Sequence, residues 1–189
     1  YQTFETKRRQ RLISSHGNSP MGFSFAGSLG ACVAGSKRVI CLIGDGGFCM
    51  NIQDLQTIIN YDLKPKVFIM NNHIYGITRQ FQDTSFGGRR EASGPKGYKP
   101  PDFLKISKAY GIATYSIKTP RNLINDLYKV IEYPDAIICD VNMGEYCTYE
   151  PRLMGWRTPI EDMTPSLPRE VFRSEMIIEP LKGWENGKY

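Results

Sequence analysis

The sequence predicts an α/β protein: an open parallel sheet with helices on both faces. Short apolar runs rich in β-branched residues recur along it. Each run is continuous rather than alternating, as strands buried on both faces require. Between them lie stretches with helical spacing of about 10–15 residues, the rhythm of βαβ units. The composition agrees: 189 residues with 41% hydrophobic and 23% charged content are those of an ordinary globular chain. No apolar run approaches the roughly 20 residues of a membrane helix, and the polar, basic start has no signal-peptide core.

The elements follow in order. "SPMGFSFAGSLGACVAG" (19–35) reads as a helix whose Gly, Ala and Ser residues allow close packing on a sheet or another backbone. "RVICLI" (38–43) is a buried strand. Ile52, Leu55, Ile58 and Ile59 then recur at helical spacing, with Asn51 as the expected cap. "KVFIM" (66–70) is a second buried strand. "DFLKISKAYG" (102–111) is a helix closed by glycine and leads into the strand "ATYSI". "PRNLINDLYKVIEY" starts a helix on proline and sets Leu123, Leu127, Val130 and Ile131 on one face. "AIICDV" (136–141) is the last buried strand.

Two segments fall outside this rhythm. Residues 83–101, rich in Gly and Pro, have no apolar period, and a loop so long is expected to be functional or mobile. After Met143 the chain becomes proline-rich with scattered aromatics. The expected division is therefore a domain at 1–145 and, at 146–189, an arm that packs over the domain or a partner.

Charge and cysteines narrow the function classes. The net charge of +5 is modest, and the one basic cluster, "KRRQR" (7–11), has no interleaved aromatic platform. A solvated face or a subunit contact suits it better than nucleic acid, and neither nucleic acid nor a membrane is an expected partner. The five cysteines show no metal-ligand spacing, and Cys41 and Cys139 lie inside strand-like runs. Buried free thiols in a reducing, cytoplasmic compartment are the expectation. The chain starts at Tyr1 rather than Met, so a piece of something longer is expected.

The ends of the first two strands point to chemistry. In open parallel sheets, ligands bind at the carboxyl ends of the strands. Gly44-Asp45-Gly46 and Asn71-Asn72 would meet there, since strands joined by one crossover helix are often neighbours. Asp45 brings a carboxylate and Asn72 a neutral amide oxygen, a pairing suited to a hard cation such as Mg2+ that keeps substrate phosphates in its shell. Gly46 and Gly47, just ahead of a helix, would expose backbone N–H groups to phosphate oxygens. A diphosphate held by one metal ion is the chemistry implied. Each motif alone is an ordinary turn or loop start; the joint placement is what carries information. Other nucleotide motifs fail: in "GACVAGSK" Ser36 precedes Lys37 instead of following it, and Cys49 stands where a dinucleotide fingerprint needs glycine.

Gly-Asp-Gly followed at this distance by Asn-Asn resembles the thiamine diphosphate signature. The intervening "GFCMNIQDL" and the following "YGITRQFQD" are similar to the acetolactate synthase (acetohydroxyacid synthase) large-subunit family, and the likeness covers roughly residues 8–145. The resemblance implies the diphosphate-binding domain of that family, with thiamine diphosphate and Mg2+ as cofactors. Asp45 and Asn72 would ligate Mg2+ by side chain, and Ile74 by its carbonyl. Gly46, Gly47 and Gly76 would lie against the diphosphate, with Gly44 opening the same motif. Met21 would support the bent cofactor, and the backbone near Ser19 and Met21 would meet the aminopyrimidine. Phe81, standing where the family carries Trp, would line the substrate pocket, which leaves the preferred acceptor open. His16 and His73 are candidates for assisting proton transfer, though a lone histidine is more often structural.

The family's activity is decarboxylation of a 2-keto acid such as pyruvate and transfer of the two-carbon unit to a second carbonyl compound. Its activating glutamate lies on a pyrimidine-binding domain, on the same longer chain or another subunit, and no matching segment is found here. Nor is there a central domain, so FAD belongs only to a complete enzyme. The expectations are a chain inactive by itself and a homodimeric or tetrameric assembly. The competing readings are the diphosphate-binding half of a 2-keto acid decarboxylase and a non-catalytic binding module.

Overall fold

A computed structural model of the chain describes residues 4–15, 17–145 and 158–187. It divides into two compact units, Tyr1–Cys147 and Thr148–Tyr189. Among the described residues no helix is long and apolar enough to cross a membrane.

The first unit is a four-stranded parallel sheet. Helix α1 (Phe23–Val33) precedes strand β1 (Ile40–Gly44); α2 (Asp45–Met50) and α3 (Leu55–Asn60) then lead to β2 (Lys66–Asn71). Next come α4 (Gly76–Ser85), α5 (Phe103–Ala109), β3 (Ala113–Ile117), α6 (Leu123–Ile131) and β4 (Ile137–Asn142). The strand order is β1-β2-β4-β3 with every pairing parallel, so β1 and β2 are neighbours, Ile43 lying beside Ile69 and Gly44 beside Met70.

Burial explains the strand sequences. In the central β2 every residue but Met70 is buried, as a strand covered on both faces must be. In the edge strand β1 only alternate residues are buried; Cys41 and Ile43 face the core while Ile40 and Leu42 are exposed. One sheet face carries the larger core. There Phe25 and Leu29 of α1, Phe48 of α2, Leu55 and Ile58 of α3 and Phe103 of α5 cover Cys41, Ile43, Val67, Ile69 and Ile138. On the other face α6 sets Val130 against Phe68, Ile117, Ile137 and Cys139. Asp102 caps α5 by accepting the Lys105 N–H at 3.0 Å, and Gly111, at φ 77°, ends that segment in the left-handed conformation.

Three expectations need correction. Asn51 stands at the N-cap position of the expected segment, ahead of a 3-10 turn at Ile52–Asp54 that runs into α3, but its side chain makes no capping bond, and a further helix, α2, begins at Asp45 directly off the strand. Gly46 and Gly47 therefore lie inside a first helical turn rather than ahead of it. The segment after Tyr75 is helical through Ser85, so the loop starts later than residue 83.

The second unit has its own small core. Pro168 stands at the N-cap of α7 (Arg169–Glu175). Phe172, buried, packs on Trp184 with ring centroids 5.8 Å apart. The Arg169 guanidinium lies over the Phe172 ring and grips the buried Asp162 carboxylate through two bonds of 2.6 and 2.9 Å. It also donates to the Trp184 carbonyl at 2.9 Å.

Candidate functional site

Three segments meet at the carboxyl ends of β1 and β2. The first comes straight off β1: Gly44 is extended (φ −73°, ψ 158°), and the next residue, Asp45, is already helical. With no intervening loop, the Asp45 side chain is held by the core beneath it and is only 2% exposed. The second comes off β2. Asn71 is buried and its Oδ1 accepts the His73 N–H at 3.3 Å; His73 itself takes a left-handed φ of 62°. Beyond that reversal the Ile74 carbonyl faces the Asn72 side chain.

The result is a convergence of oxygens. The Asn72 side-chain oxygen lies 2.9 Å from the Ile74 carbonyl oxygen and 3.1 Å from Asp45 Oδ1. The Asn72 oxygen accepts the Ile74 N–H at 3.4 Å, but its contacts with the other two oxygens hold no donor, an arrangement repulsive as it is. Two changes relieve it: turning the amide over, so that its NH2 donates to both oxygens, or placing a cation between them. In an octahedral Mg2+ shell, with metal–oxygen distances of about 2.1 Å, neighbouring ligand oxygens are about 3 Å apart. The spacing fits that shell, and the chemistry fits it too: one carboxylate, one amide and one carbonyl, all hard oxygen donors. Among the described residues no group of three His, Cys, Asp or Glu side chains forms an alternative metal centre.

Glycines form a cradle beside the oxygens. A Cβ on Gly46 would lie 2.5 Å from the Tyr75 ring and 3.0 Å from Met21 Cε. On Gly47 it would lie 3.1 Å from the Ile43 side chain and 3.5 Å from the Gly22 backbone nitrogen. The turn ahead of α1 is thus packed on the start of α2 with room for hydrogen alone. Gly22 carries that turn at φ 93°. Gly76 opens α4, where a Cβ would come within 3.1 Å of the Asn72 amide nitrogen.

Two tyrosines that the sequence reading gave no role flank the cradle. Tyr75 stacks on Tyr98 with centroids 4.0 Å apart, and its N–H donates to the Ser93 carbonyl at 3.0 Å. Segment 86–101 is folded back on α4 through Gln82, whose amide donates to the Glu91 carbonyl and accepts from Ser93 Oγ. The available signal was slight: each tyrosine adjoins a glycine, and no local pattern links residues so far apart.

Burial pushes the Asp45 carboxyl above the usual carboxylate range, with the Gly46 N–H, the Tyr98 phenol and His73 opposing the rise. The Tyr98 hydroxyl is pushed upward by burial and then by the Asp45 and Cys49 charges. Asp140 on β4 is likewise raised by burial, with Asn71 and His73 opposing.

The remaining expected residues scatter around this centre. Met21 reaches the cradle while staying half exposed. Ser19 lies on the exposed turn before α1, its hydroxyl donating to the Ser15 carbonyl. His73 bonds through Nε2 with Asn142 at 3.1 Å. Phe81 shares the outward face of α4 with Ile77 one turn earlier, and both are open to solvent. His16 lies outside the described residues.

Comparison with known proteins decides what this centre belongs to. Residues 1–141 match the model of the thiamine pyrophosphate enzyme C-terminal TPP binding domain. The chain belongs to that family. A probable acetolactate synthase large subunit from Methanococcus aeolicus is 40% identical over 138 residues, covering 72% of this chain and 22% of the relative. The acetolactate synthase large subunit of Pyropia yezoensis is 37% identical over 143 residues, 74% of this chain and 24% of the relative. That of Lactococcus lactis is 31% identical over 177 residues, covering 93% and 28%. The chain thus spans about a quarter of the length of these relatives. A solved structure of similar fold is the thiamine diphosphate-dependent 4-hydroxybenzoylformate decarboxylase of Rhodococcus jostii RHA1. It has a TM-score of 0.57 and 24% identity, covering 67% of this chain and 24% of that one.

Proposed function

We propose that this TPP-binding domain anchors the diphosphate and Mg2+ in a 2-keto acid carboligase of the acetolactate synthase type. The observation that carries the reading is the convergence of Asp45, Asn72 and Ile74 oxygens at the spacing of a magnesium shell, beside a glycine cradle.

In this reading Asp45 and Asn72 hold Mg2+ by side chain and Ile74 by its carbonyl. Gly44, Gly46, Gly47 and Gly76 let the backbone approach the diphosphate without steric obstruction, and Met21 and Ser19 border the organic part of the cofactor. When bound, thiamine diphosphate supplies the electron sink that lets a bond to a carbonyl carbon be broken and remade. The chain's own share is to bind, to orient and to keep the phosphate charge neutralised. Phe81, on the outward face of α4, is proposed to line the acceptor pocket, and His73 to hold Asn142 near that edge. A pyrimidine-binding domain, from the same longer chain or another subunit, completes the site with its glutamate. The isolated chain is accordingly proposed to be inactive, and the working enzyme a dimer or tetramer acting on pyruvate or a related 2-keto acid. A reducing, cytoplasmic setting suits Cys41 and Cys139, whose thiols are pushed up to about 12 by burial and are inert at neutral pH.

Calorimetric titration of the chain with thiamine diphosphate tests this, with and without Mg2+ and in parallel on Asp45→Ala. Binding that requires both the metal and Asp45 is expected. Equal binding by Asp45→Ala, or binding indifferent to Mg2+, would overturn it.

A further inference from the structure

We propose that Tyr98 is a positioning residue for Asp45: its hydroxyl holds Oδ2, so that Oδ1 is aimed at the cation and the 86–101 segment is tied to the metal site. The inference rests on Asp45 being a cation ligand.

The geometry comes from unpartnered atoms. Among the described residues, five buried side-chain polar atoms make no hydrogen bond, and two of them are Asp45 Oδ2 and the Tyr98 hydroxyl. One is an acceptor without a donor, the other a donor without an acceptor. Tyr98 is brought toward this carboxylate through Tyr75, whose ring it stacks on and which lies against Gly46, the residue after Asp45. A turn of either side chain that pairs the two would satisfy both.

The loop is built to deliver this hydroxyl. Tyr98 is 7% exposed, and its ring is stacked on Tyr75, which itself covers Gly46. The Gly97 and Tyr98 N–H groups both donate to the Gly94 carbonyl, at 2.8 and 2.7 Å. A Cβ on Gly97 would fall 2.2 Å from Ala92 Cα, so the turn closes only with glycine there. Ser93, fully buried, anchors it against Gln82. With Asn72 on the Oδ1 side and Tyr98 assigned to the unpartnered Oδ2, the carboxylate has one oxygen for the ion and one for the protein. Partners of this kind fix the orientation of a metal ligand, and removing one typically weakens metal binding about 10–100-fold. Linkage is reciprocal: if the docked loop strengthens cation binding, the cation strengthens docking of the loop by the same factor.

The test uses the whole chain, with Mn2+ as the calorimetric probe and Mg2+ for amide exchange. Tyr98→Phe keeps the ring stack and removes one oxygen. Its Mn2+ affinity is expected to fall about 10–100-fold, and the slowing of exchange that Mg2+ produces across residues 86–101 is expected to disappear. A 3-fluorotyrosine at position 98, which keeps every ring contact and is a better donor, is expected to move the affinity severalfold the other way. Wild type and Tyr98→Phe binding Mn2+ equally would overturn the role of Tyr98 while leaving the proposed function standing. A wild-type chain that binds no Mn2+ would overturn both.

Discussion

Replacing Asp45 by Asn opposes stability and function in a way that can be measured. In the metal-free chain Asp45 is a carboxylate 2% exposed, with Oδ2 unpartnered and Oδ1 3.1 Å from the Asn72 side-chain oxygen. An amide there carries no charge and brings two N–H donors toward the acceptors that face it. Relief of an unsatisfied buried polar group is worth about 1–3 kcal/mol; we take about 1–2 kcal/mol, since the new side chain also loses some freedom. For a chain of this size that is about 2–8 °C in melting temperature. Asp45→Asn in EDTA at neutral pH is therefore expected to melt above wild type. Burial raises the folded-state pKa of Asp45 above its ordinary 3.8. Wild type thus has this group's full stability below that value and loses it as pH rises through the raised pKa, so the variant's advantage should vanish in acid. With Mg2+ and thiamine diphosphate at 100 times Kd, wild type should gain about 2.7 kcal/mol and the variant almost nothing, reversing the order. Scanning calorimetry in the two buffers reads both. A variant no more stable than wild type in EDTA, or one that gains equally from Mg2+, would refute the reasoning.

Other perturbations separate cradle, core and second unit. Gly46→Ala must displace the Tyr75 ring or Met21, 2.5 and 3.0 Å from the new Cβ; a loss of about 1–3 kcal/mol is expected by urea melting, with thiamine diphosphate binding weakened at least about tenfold in calorimetry. Phe48→Ala empties a fully buried site between Phe25 and Phe103 and is expected to lower stability by about 3–5 kcal/mol in the same assay. Arg169→Met leaves the Asp162 carboxylate, 3% exposed, without its guanidinium; a local loss of about 3–5 kcal/mol should appear as rapid proteolysis within residues 158–187 while the sheet unit stays protected. Arg90→Ala removes two bonds of 2.6 and 2.9 Å to Asp83, but both side chains are solvated, so no measurable shift of the melting curve is expected.

What the sequence disclosed, and what it withheld, follows from the range of the forces. Buried parallel strands announce themselves by continuous apolar runs, and β1, β2 and β4 lie within two residues of their expected bounds because that signal is local. The ends of α5 were equally legible, since Asp102 and Gly111 act on their own neighbours. Helix α4 was not: "GITRQFQDTS" begins on glycine, has no side-chain cap and buries none of its residues fully, so its helicity comes from its place between the cradle and the 86–101 segment. The start of α2 misled for a related reason. Asn51 has the chemistry of a cap, yet the strand–helix junction is set by packing of Phe48 into the core. At the site, Asp45 and Asn72 stood out by chemistry at two strand ends, whereas the left-handed turn at His73 and the stack of Tyr75 on Tyr98 arise only from tertiary structure.

The direct passage from β1 into α2 has a consequence for how this domain can change over generations of mutation. A site carried on a loop can be re-aimed by lengthening or shortening the loop, with the scaffold untouched. Here Asp45 and its glycines share one continuous backbone with Ile43 on one side and Phe48 on the other, both buried in the sheet's larger core. Insertions have no place to go, and drift in the packing of that core is felt as a change in the aim of the carboxylate. Heritable novelty in this domain is thereby steered toward the outer face of α4, where Ile77 and Phe81 are open to solvent and sequence can vary without moving the oxygens.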